Sequence, residues 1–339
     1  METTLPRLVE TINSAVNNEA ERLDYVSTIA AAVSQAASPE AKTLLQSKVI
    51  AEGKIKVSAP KKKKAPVMTE TEAFTTDDKF FERPNGEKYY TRTWGEHSDV
   101  LALREARTNS YYTMFYGAPG CGKTALVEAA FGNELHTVLG SGDTEVADLV
   151  GGYVQLPGEG FEWVDGPLIK AAEAGEVFFV DEIGLVDPKV LSIVYGLMDG
   201  RKEYTVTANP DRGTVKAKDG FFVVAATNPN APGVRLSEAL LSRFVLQTEL
   251  TTDWALARKL GAPTTIVTCA QNLARKIQTG EVGWAPQMRE LLAFRDLSKT
   301  FGTKFAIANL LACAPELDRP VVADVFTRAF GEDCRPAKI

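Results

Sequence analysis

The sequence contains one stretch whose residue types and spacing suit the binding of phosphate groups, Gly117-Ala118-Pro119-Gly120-Cys121-Gly122-Lys123-Thr124. This stretch, called the phosphate loop below, fits the pattern G-x-x-x-x-G-K-[ST] and is followed by a helical run that begins at Ala125. Glycines let the backbone wrap with its N–H groups inward, and the N-terminus of the following helix adds positive potential. We therefore predict that residues 117–125 contact a nucleotide, with Lys123 on the β- and γ-phosphates and the Thr124 hydroxyl on Mg²⁺.

This loop also allows two other interpretations. A glycine-rich turn ahead of a helix can be purely structural. Cys121 could be a redox-active thiol, but the position accepts a small residue, so a packing role is favoured.

Two carboxylates, Asp181 and Glu182, directly follow the apolar run Val177–Val180. Because ligands of parallel sheets bind at the carboxyl ends of the strands, these side chains are expected near the phosphate loop. Asp181 is predicted to hold Mg²⁺ through water, and Glu182 is predicted to polarise an attacking water molecule. Two acids at a surface strand end are the alternative interpretation.

Asn228 follows another apolar run, Phe221–Ala226, and precedes Pro229. On its own, an Asn-Pro pair indicates a turn. As the third polar residue at a strand end in this region, Asn228 is predicted to orient the water or to contact the γ-phosphate.

The elements that must position these residues follow from periodicity. Between Asn109 and Leu250, short apolar stretches alternate with helical ones, which is typical of a parallel sheet with crossover helices. The predicted strands are Tyr112–Tyr116, Leu135–Leu139, Val177–Val180, Phe221–Ala226 and Val245–Glu249. The predicted fold class is α/β, a five-stranded parallel sheet with helices on both faces, plus a C-terminal helical lid and an N-terminal helical hairpin.

The predicted domain organisation has four parts. Residues 1–53 form the N-terminal helical hairpin, whose heptad-spaced apolar positions serve either its own packing or docking and oligomerisation. Residues 54–73 form a Pro- and Lys-rich linker, whose composition favours a solvated tether; a nucleic-acid or localisation patch is the alternative. Residues 74–250 form the nucleotide-binding α/β domain, and residues 251–339 form the helical lid.

Composition excludes several other classes of site. The 339 residues include two histidines and four cysteines without a CxxC pair, which argues against a histidine metal centre, a zinc ribbon and a Ser-His-Asp triad. The net charge of −6 argues weakly against general nucleic-acid binding. Without a sufficiently long apolar run or a signal-peptide pattern, we expect no membrane segment and a cytoplasmic location.

The combined motifs resemble those of the AAA+ superfamily and, within it, the MoxR-like branch of dynein-related AAA proteins. The similarity covers roughly residues 89–301 and is carried by GAPGCGKT, DLVGGYVQLPGEGFEWVDGPL (148–168), VFFVDEI, AATNP and LSEALLSRF (236–244). Within residues 148–168, two apolar stretches flank Pro157-Gly158-Glu159-Gly160 and predict a β-hairpin. In the family this insert faces the axis of a ring and meets the client protein, whereas Phe161 and Trp163 could equally be core residues.

The resemblance implies ATP and Mg²⁺ as cofactors and assigns further roles by position. Asn228 matches the sensor-1 residue, Arg243 the arginine finger, with Arg235 as its rival, and Arg289 loosely matches the sensor-2 arginine. It also implies a homo-oligomeric ring, expected to be hexameric, that hydrolyses ATP to remodel or activate a client. A separate partner with a von Willebrand factor A-type domain is common in this branch. A nucleic-acid machine related to DNA-restriction AAA+ motors and a non-hydrolysing scaffold are the alternatives; Glu182 and Arg243 argue against the scaffold.

Overall fold

The computed structural model describes residues 79–155, 158, 160–331 and 333–337. The hairpin predicted for residues 1–53 and the linker predicted for residues 54–73 lie outside the described residues. The chain divides into two compact units, Met1–Val67 and Met68–Ile339, and the structure reported below belongs to the second.

The described region alternates strands and helices up to Glu249 and is helical beyond it. The strands are β1 (Phe80–Glu82), β2 (Lys88–Tyr90), β3 (Thr93–Trp94), β4 (His97–Ser98), β5 (Thr113–Tyr116), β6 (Leu135–Leu139), β7 (Gly151–Gln155), β8 (Phe161–Asp165), β9 (Val177–Asp181), β10 (Glu203–Thr205), β11 (Thr214–Lys216), β12 (Phe222–Thr227) and β13 (Leu246–Glu249). The helices are α1 (Asp99–Thr108), α2 (Lys123–Phe131), α3 (Val146–Val150), α4 (Pro167–Ala174), α5 (Pro188–Met198), α6 (Glu238–Leu241), α7 (Trp254–Lys259), α8 (Thr264–Gln278), α9 (Met288–Phe301), α10 (Thr303–Cys313) and α11 (Arg319–Phe330).

Five of the strands form one parallel sheet in the order β13-β5-β12-β9-β6. All six residues of β12 are buried, as are the first four residues of β9, so these inner strands are covered on both faces. A parallel sheet with crossover helices needs this double coverage, which explains the nearly continuous apolar runs in the sequence. The predicted α/β fold class and its C-terminal helices are confirmed.

The sheet order determines which strand ends are neighbours. Strand β12 pairs with β5 on one side and with β9 on the other. The carboxyl ends of β5, β12 and β9 therefore lie side by side, at the edge where the phosphate loop, Asn228 and Asp181 begin.

Antiparallel hairpins project from this framework. Strands β7 and β8 pair from Gly151↔Asp165 to Gln155↔Phe161, as the alternating pattern around the Pro-Gly-Glu-Gly stretch predicts. Strands β10 and β11 form a second hairpin. Strands β1 and β2 form a third, whose turn has Gly86 at φ +80, in the left-handed region that glycine favours.

Two separate hydrophobic clusters hold the described region. One lies around the sheet and extends from Tyr89 to Leu250, and the other lies among the C-terminal helices from Ala257 to Cys334. The exact domain limits 74–250 and 251–339 stay a prediction. None of the helices in the described ranges has the length and apolar character needed to cross a bilayer.

Candidate functional site

The phosphate loop connects β5 to the N-terminus of α2, which begins at Lys123. Gly120 and Gly122 have φ values of +81 and +99, so the loop uses a backbone conformation that other residues adopt only with strain. The Lys123 ammonium is buried and donates to the carbonyl oxygens of Gly117, at 2.7 Å, and Ala118, at 3.2 Å. The ammonium is therefore held by two neutral carbonyl oxygens. Anionic phosphate oxygens are stronger acceptors and can replace them.

The loop is tightly enclosed at its first residue. A side chain on Gly117 would place its Cβ 2.2 Å from the carbonyl oxygen of Leu250. Cys121 is fully buried, and burial raises the pKa of its thiol. Because the thiolate is the reactive form, this environment favours the packing interpretation of Cys121 over the redox interpretation.

Thr124 and Asp181 meet across the end of β12. The Thr124 hydroxyl donates to Asp181 Oδ2 at 2.7 Å, although the two residues belong to different strand–helix units. A hydroxyl and a carboxylate oxygen side by side are hard ligands of the kind that Mg²⁺ accepts from a protein while water and substrate phosphates complete its octahedron. Across the described part of the chain, no three or more His, Cys, Asp or Glu side chains are grouped so that they could hold a metal ion. The pair thus fits an ion held largely by phosphates, and it does not fit a closed protein cage.

Glu182 lies directly after β9 in an unusual backbone conformation. Its φ and ψ of 55° and 40° are in the left-handed region, which costs a non-glycine residue on the order of 1 kcal/mol or more and is concentrated at functional sites. Its carboxylate Oε2 accepts the backbone N–H of Asn228 at 3.2 Å. This turn places the Glu182 carboxylate at the end of the neighbouring strand β12, which Asn228 follows directly.

The side chain of Asn228 itself accepts the backbone N–H of Asn230 at 3.2 Å. This contact is typical of the turn that an Asn-Pro pair indicates, in which the asparagine side chain bonds to the backbone two residues further on. Its backbone N–H nevertheless contacts the carboxylate of Glu182. The sensor role of Asn228 stays a prediction.

Arg289 is the second residue of α9, the helix that contacts the phosphate loop. Its backbone N–H donates to the Gly120 carbonyl at 3.3 Å, and a Cβ on Gly120 would lie 3.0 Å from the Arg289 Cβ. Its side chain is exposed. The structure thus brings Arg289 to the loop through its backbone, and the phosphate-sensing role of its guanidinium stays a prediction.

Arg243 is held away from these residues by its own chain. The guanidinium donates to Asp199 through Nε and Nη2 at 2.9 and 3.1 Å, and to the Ala239 carbonyl through Nη1 at 2.5 Å. Its Cζ lies 4.3 Å from the centre of the Tyr195 ring. Helix α6, which precedes Arg243, begins after Ser237, whose hydroxyl caps it by accepting the Leu240 N–H.

The rival cation, Arg235, is exposed. Its backbone N–H donates to the Gly184 carbonyl at 2.7 Å, close to Glu182. Among the contacts that the described residues make, none involves the Arg235 guanidinium. Which arginine serves a neighbouring nucleotide stays a prediction.

The β7–β8 hairpin exposes apolar side chains. Tyr153 and Phe161 are 54% and 69% exposed, while Trp163 is half-buried and stacks edge-on against Tyr153 at 5.3 Å. Phe161 is therefore a surface residue and Trp163 packs partly against the sheet core. The hairpin is anchored at Asp165: burial alone would raise the pKa of its carboxyl, but hydrogen bonds from Arg212 and Trp163 bring the pKa below its usual value.

Several residues that contact the phosphate loop, α9 or Arg243 carry no signal in the sequence. Arg92 donates to the Cys121 carbonyl, and Gln287 caps α9 while accepting from the Thr252 hydroxyl at 2.7 Å. Asp199, the partner of Arg243, follows α5. These contacts join segments that are far apart in sequence, so local spacing does not predict them.

Known proteins share this region of the chain. Residues 113–244 match the model of the AAA domain of the dynein-related subfamily, a family of ATPases. The uncharacterized protein YojN of Bacillus subtilis (strain 168) is 40% identical over 142 residues, covering 39% of this chain and 45% of that protein. An uncharacterized protein of Staphylococcus haemolyticus is 37% identical over 158 residues, covering 44% of this chain and 58% of that protein. The chain thus spans about half the length of the curated relatives it matches.

Solved structures show a more distant likeness. NtrX from Brucella abortus is 16% identical and covers 70% of this chain and 61% of its own, with a TM-score of 0.42. A structure of NtrX in complex with ADP is 15% identical and covers 71% of this chain and 62% of its own, with a TM-score of 0.38. Likeness at this level does not extend to a shared function.

Proposed function

We propose that this chain is an ATP-hydrolysing ring motor of the MoxR-like branch that remodels or activates a partner protein, because its residues 113–244 match the model of the AAA domain of the dynein-related subfamily. The observation that carries the proposal is the 2.7 Å contact between Thr124 and Asp181. It joins the end of the phosphate loop to the acidic end of β9, and a purely structural glycine turn would have no need of it.

The proposed chemistry assigns one task to each side chain of this edge. ATP would supply the phosphoanhydride bond that is cleaved, and Mg²⁺ would neutralise charge on its phosphates. Loop N–H groups and Lys123 bind the phosphate oxygens, and Thr124 and Asp181 hold the ion. Glu182 takes the proton of the attacking water, for which its carboxylate has to leave the Asn228 N–H and turn toward the loop.

Two arginines complete the site in this proposal. Arg289 lies on the helix whose backbone contacts the phosphate loop, and its exposed side chain is assigned to a bound phosphate. Arg243 acts on the nucleotide of a neighbouring subunit, in a ring expected to be hexameric. The cytoplasmic location predicted from the sequence stays a prediction.

We assign the contact with the client to the β7–β8 hairpin. It presents Tyr153, Val154 and Phe161 to solvent, and exposed apolar side chains grouped in this way are typical of an interaction site. Residues 151–165 contain acidic side chains and no Lys or Arg, which favours a protein client over a nucleic acid. A von Willebrand factor A-type domain on a separate protein is the partner that the branch leads us to expect.

ATP hydrolysis by the purified chain tests the proposal. Lys123→Ala removes the charge partner of the phosphates and is expected to abolish nucleotide binding. Glu182→Gln is expected to bind Mg²⁺ and ATP normally and to hydrolyse about 100-fold more slowly, because it loses acid–base assistance. A Glu182→Gln variant that hydrolyses ATP at the native rate would contradict the assigned roles.

The same variant offers access to the client. Held in its ATP-bound form, the Glu182→Gln protein should retain the client during purification from its native source. The matched control is Lys123→Ala, which should retain none. Equal recovery of a protein with both variants would argue against an ATP-dependent client.

A further inference from the structure

Arg92, which lies outside the matched AAA segment, contacts the back of the phosphate loop. Its guanidinium donates through Nη2 to the carbonyl oxygen of Cys121 at 2.7 Å and through Nη1 to the carbonyl oxygen of Thr251 at 3.0 Å. One cation therefore joins the phosphate loop to the start of the segment that leads from β13 to the C-terminal helices.

The position of Arg92 is fixed by a buried carboxylate. Asp99 is 5% exposed, accepts the Arg92 backbone N–H at 3.1 Å and donates its own backbone N–H to the Arg92 carbonyl at 3.0 Å. The Tyr89 hydroxyl donates to the other oxygen of Asp99 at 2.5 Å, and burial raises the pKa of Tyr89, so this donor stays protonated. Arg92 is thus held at its backbone before its side chain reaches the loop.

The loop is shaped to admit this guanidinium. A Cβ on Gly122 would lie 2.4 Å from Arg92 Nη2. Gly122 also has a φ of +99, so the residue answers two needs, a left-handed backbone and an open path for the arginine. The contact is therefore part of the loop's construction and is more than a surface encounter.

The peptide geometry gives this contact a consequence for phosphate binding. In a trans peptide unit the C=O and the following N–H point to opposite sides. When Arg92 holds the Cys121 carbonyl at the back of the loop, the N–H of Gly122 faces the other side, where phosphates bind. We propose that Arg92 is a positioning residue for nucleotide binding, which fixes the Cys121–Gly122 peptide in the orientation that the phosphates require.

The same cation also links two parts of the site. Thr252, next to the Thr251 carbonyl that Arg92 binds, donates its hydroxyl to Gln287, the N-cap of α9. Arg289 on that helix donates its N–H to the Gly120 carbonyl. Arg92 thus supports the loop directly at Cys121 and indirectly through the segment that carries α9.

The chain supplies a matched control in Arg104. This arginine also donates to two backbone carbonyls, those of Ala130 at 2.7 Å and Ala129 at 3.3 Å, and lies 4.7 Å from the Phe81 ring. Its acceptors are at the C-terminal end of α2, whereas the acceptor of Arg92 in the loop lies just before the N-terminal end of the same helix. A role in stability alone predicts similar effects for both arginines.

The test compares Arg92→Gln, Arg92→Lys and Arg104→Gln in the full chain, by steady-state ATP hydrolysis and by thermal unfolding without nucleotide. Arg92→Gln is expected to raise KM for ATP about 10-fold while kcat falls less, because the loop N–H groups are misplaced before binding. Arg92→Lys should recover part of this loss, since an ammonium keeps the positive charge but lacks the planar guanidinium that presents its donors in a fixed fork. Arg104→Gln should leave KM unchanged even if its Tm falls.

The inference rests on the proposed nucleotide site, and the two can fail separately. A native chain that neither binds nor hydrolyses ATP would end the proposed function. A native chain that hydrolyses ATP, together with an Arg92→Gln variant whose KM is within about twofold of native, would overturn the role of Arg92 alone. The same KM change in Arg104→Gln would also overturn it. If Arg92→Gln does not fold, the comparison of Arg92→Lys with Arg104→Gln decides in the same way.

Discussion

The phosphate-loop edge and the Arg243 region differ in how their functional groups are used within the chain. At the first, the Thr124 hydroxyl contacts the Asp181 carboxylate and the Glu182 carboxylate accepts the backbone N–H of Asn228, so groups from three adjacent strand ends meet. At the second, the Arg243 guanidinium is bound by Asp199 and Ala239 and covered by Tyr195. Within the described residues, Arg243 makes no contact with the first group. The first group is assembled within a single chain, whereas Arg243 contacts a separate set of residues.

The contacts of Arg243 bear on whether its guanidinium can bind an anion. Asp199 and Ala239 occupy three of the five guanidinium N–H groups, and the side chain keeps 25% of its surface exposed. An arginine held on one edge and open on the other loses little conformational entropy when it binds an anion, because its rotamer is already fixed. If Arg243 instead serves only as a structural ion pair with Asp199, its exposed surface binds no anion.

The largest expected effect separates these two interpretations. Arg243→Ala should reduce ATP hydrolysis by about 10³-fold, because a cation supplied in trans stabilises the charge on the transferring phosphoryl group. Lys123→Ala should be inactive for a different reason, loss of nucleotide binding.

Mixing these two inactive variants tests whether sites are shared. An interface that pairs the intact loop of Arg243→Ala with the intact arginine of Lys123→Ala should recover part of the activity. If the variants co-assemble and no activity returns, the role passes to Arg235 or the sites are not shared.

A smaller effect is expected for Asp199→Asn. This variant keeps the shape of the Arg243 partner and removes its charge, so the guanidinium should be less well placed and hydrolysis should fall about 10-fold, since small misplacements of a catalytic group are costly. Stability should change little because both side chains are partly exposed. An increase in hydrolysis would mean that Asp199 restrains Arg243, and the proposed positioning would be wrong.

The smallest expected effect concerns the N-terminal region. A chain that lacks residues 1–60 should bind ATP within about twofold of native, because a Pro- and Lys-rich segment predicts few packing contacts with the nucleotide domain. Size-exclusion chromatography of both chains would report whether assembly changes. A shortened chain that aggregates or loses ATP binding would show that the first 60 residues belong to the main fold.

Much of the phosphate-loop edge could be predicted from the sequence because its signals are local. The loop pattern between an apolar strand and a helix predicts β5 and α2, and the apolar run that ends in two acids predicts β9. The left-handed backbone of Glu182 could not be predicted, since an acidic residue gives no local indication of positive φ. Nor could the pairing of Asn228 with Glu182, which needs the strand order.

The amino-acid sequence by itself determined the elements, because periodicity and glycine placement act over a few residues. It determined the chemical types at the strand ends: a lysine and a threonine after one strand, two acids after another and an asparagine after a third. Only the tertiary structure decided which of these ends are neighbours, that Arg92 binds the Cys121 carbonyl, and that Asp199 binds Arg243. Those contacts join residues far apart in the chain, and their geometry depends on how the sheet, its hairpins and the C-terminal helices pack together.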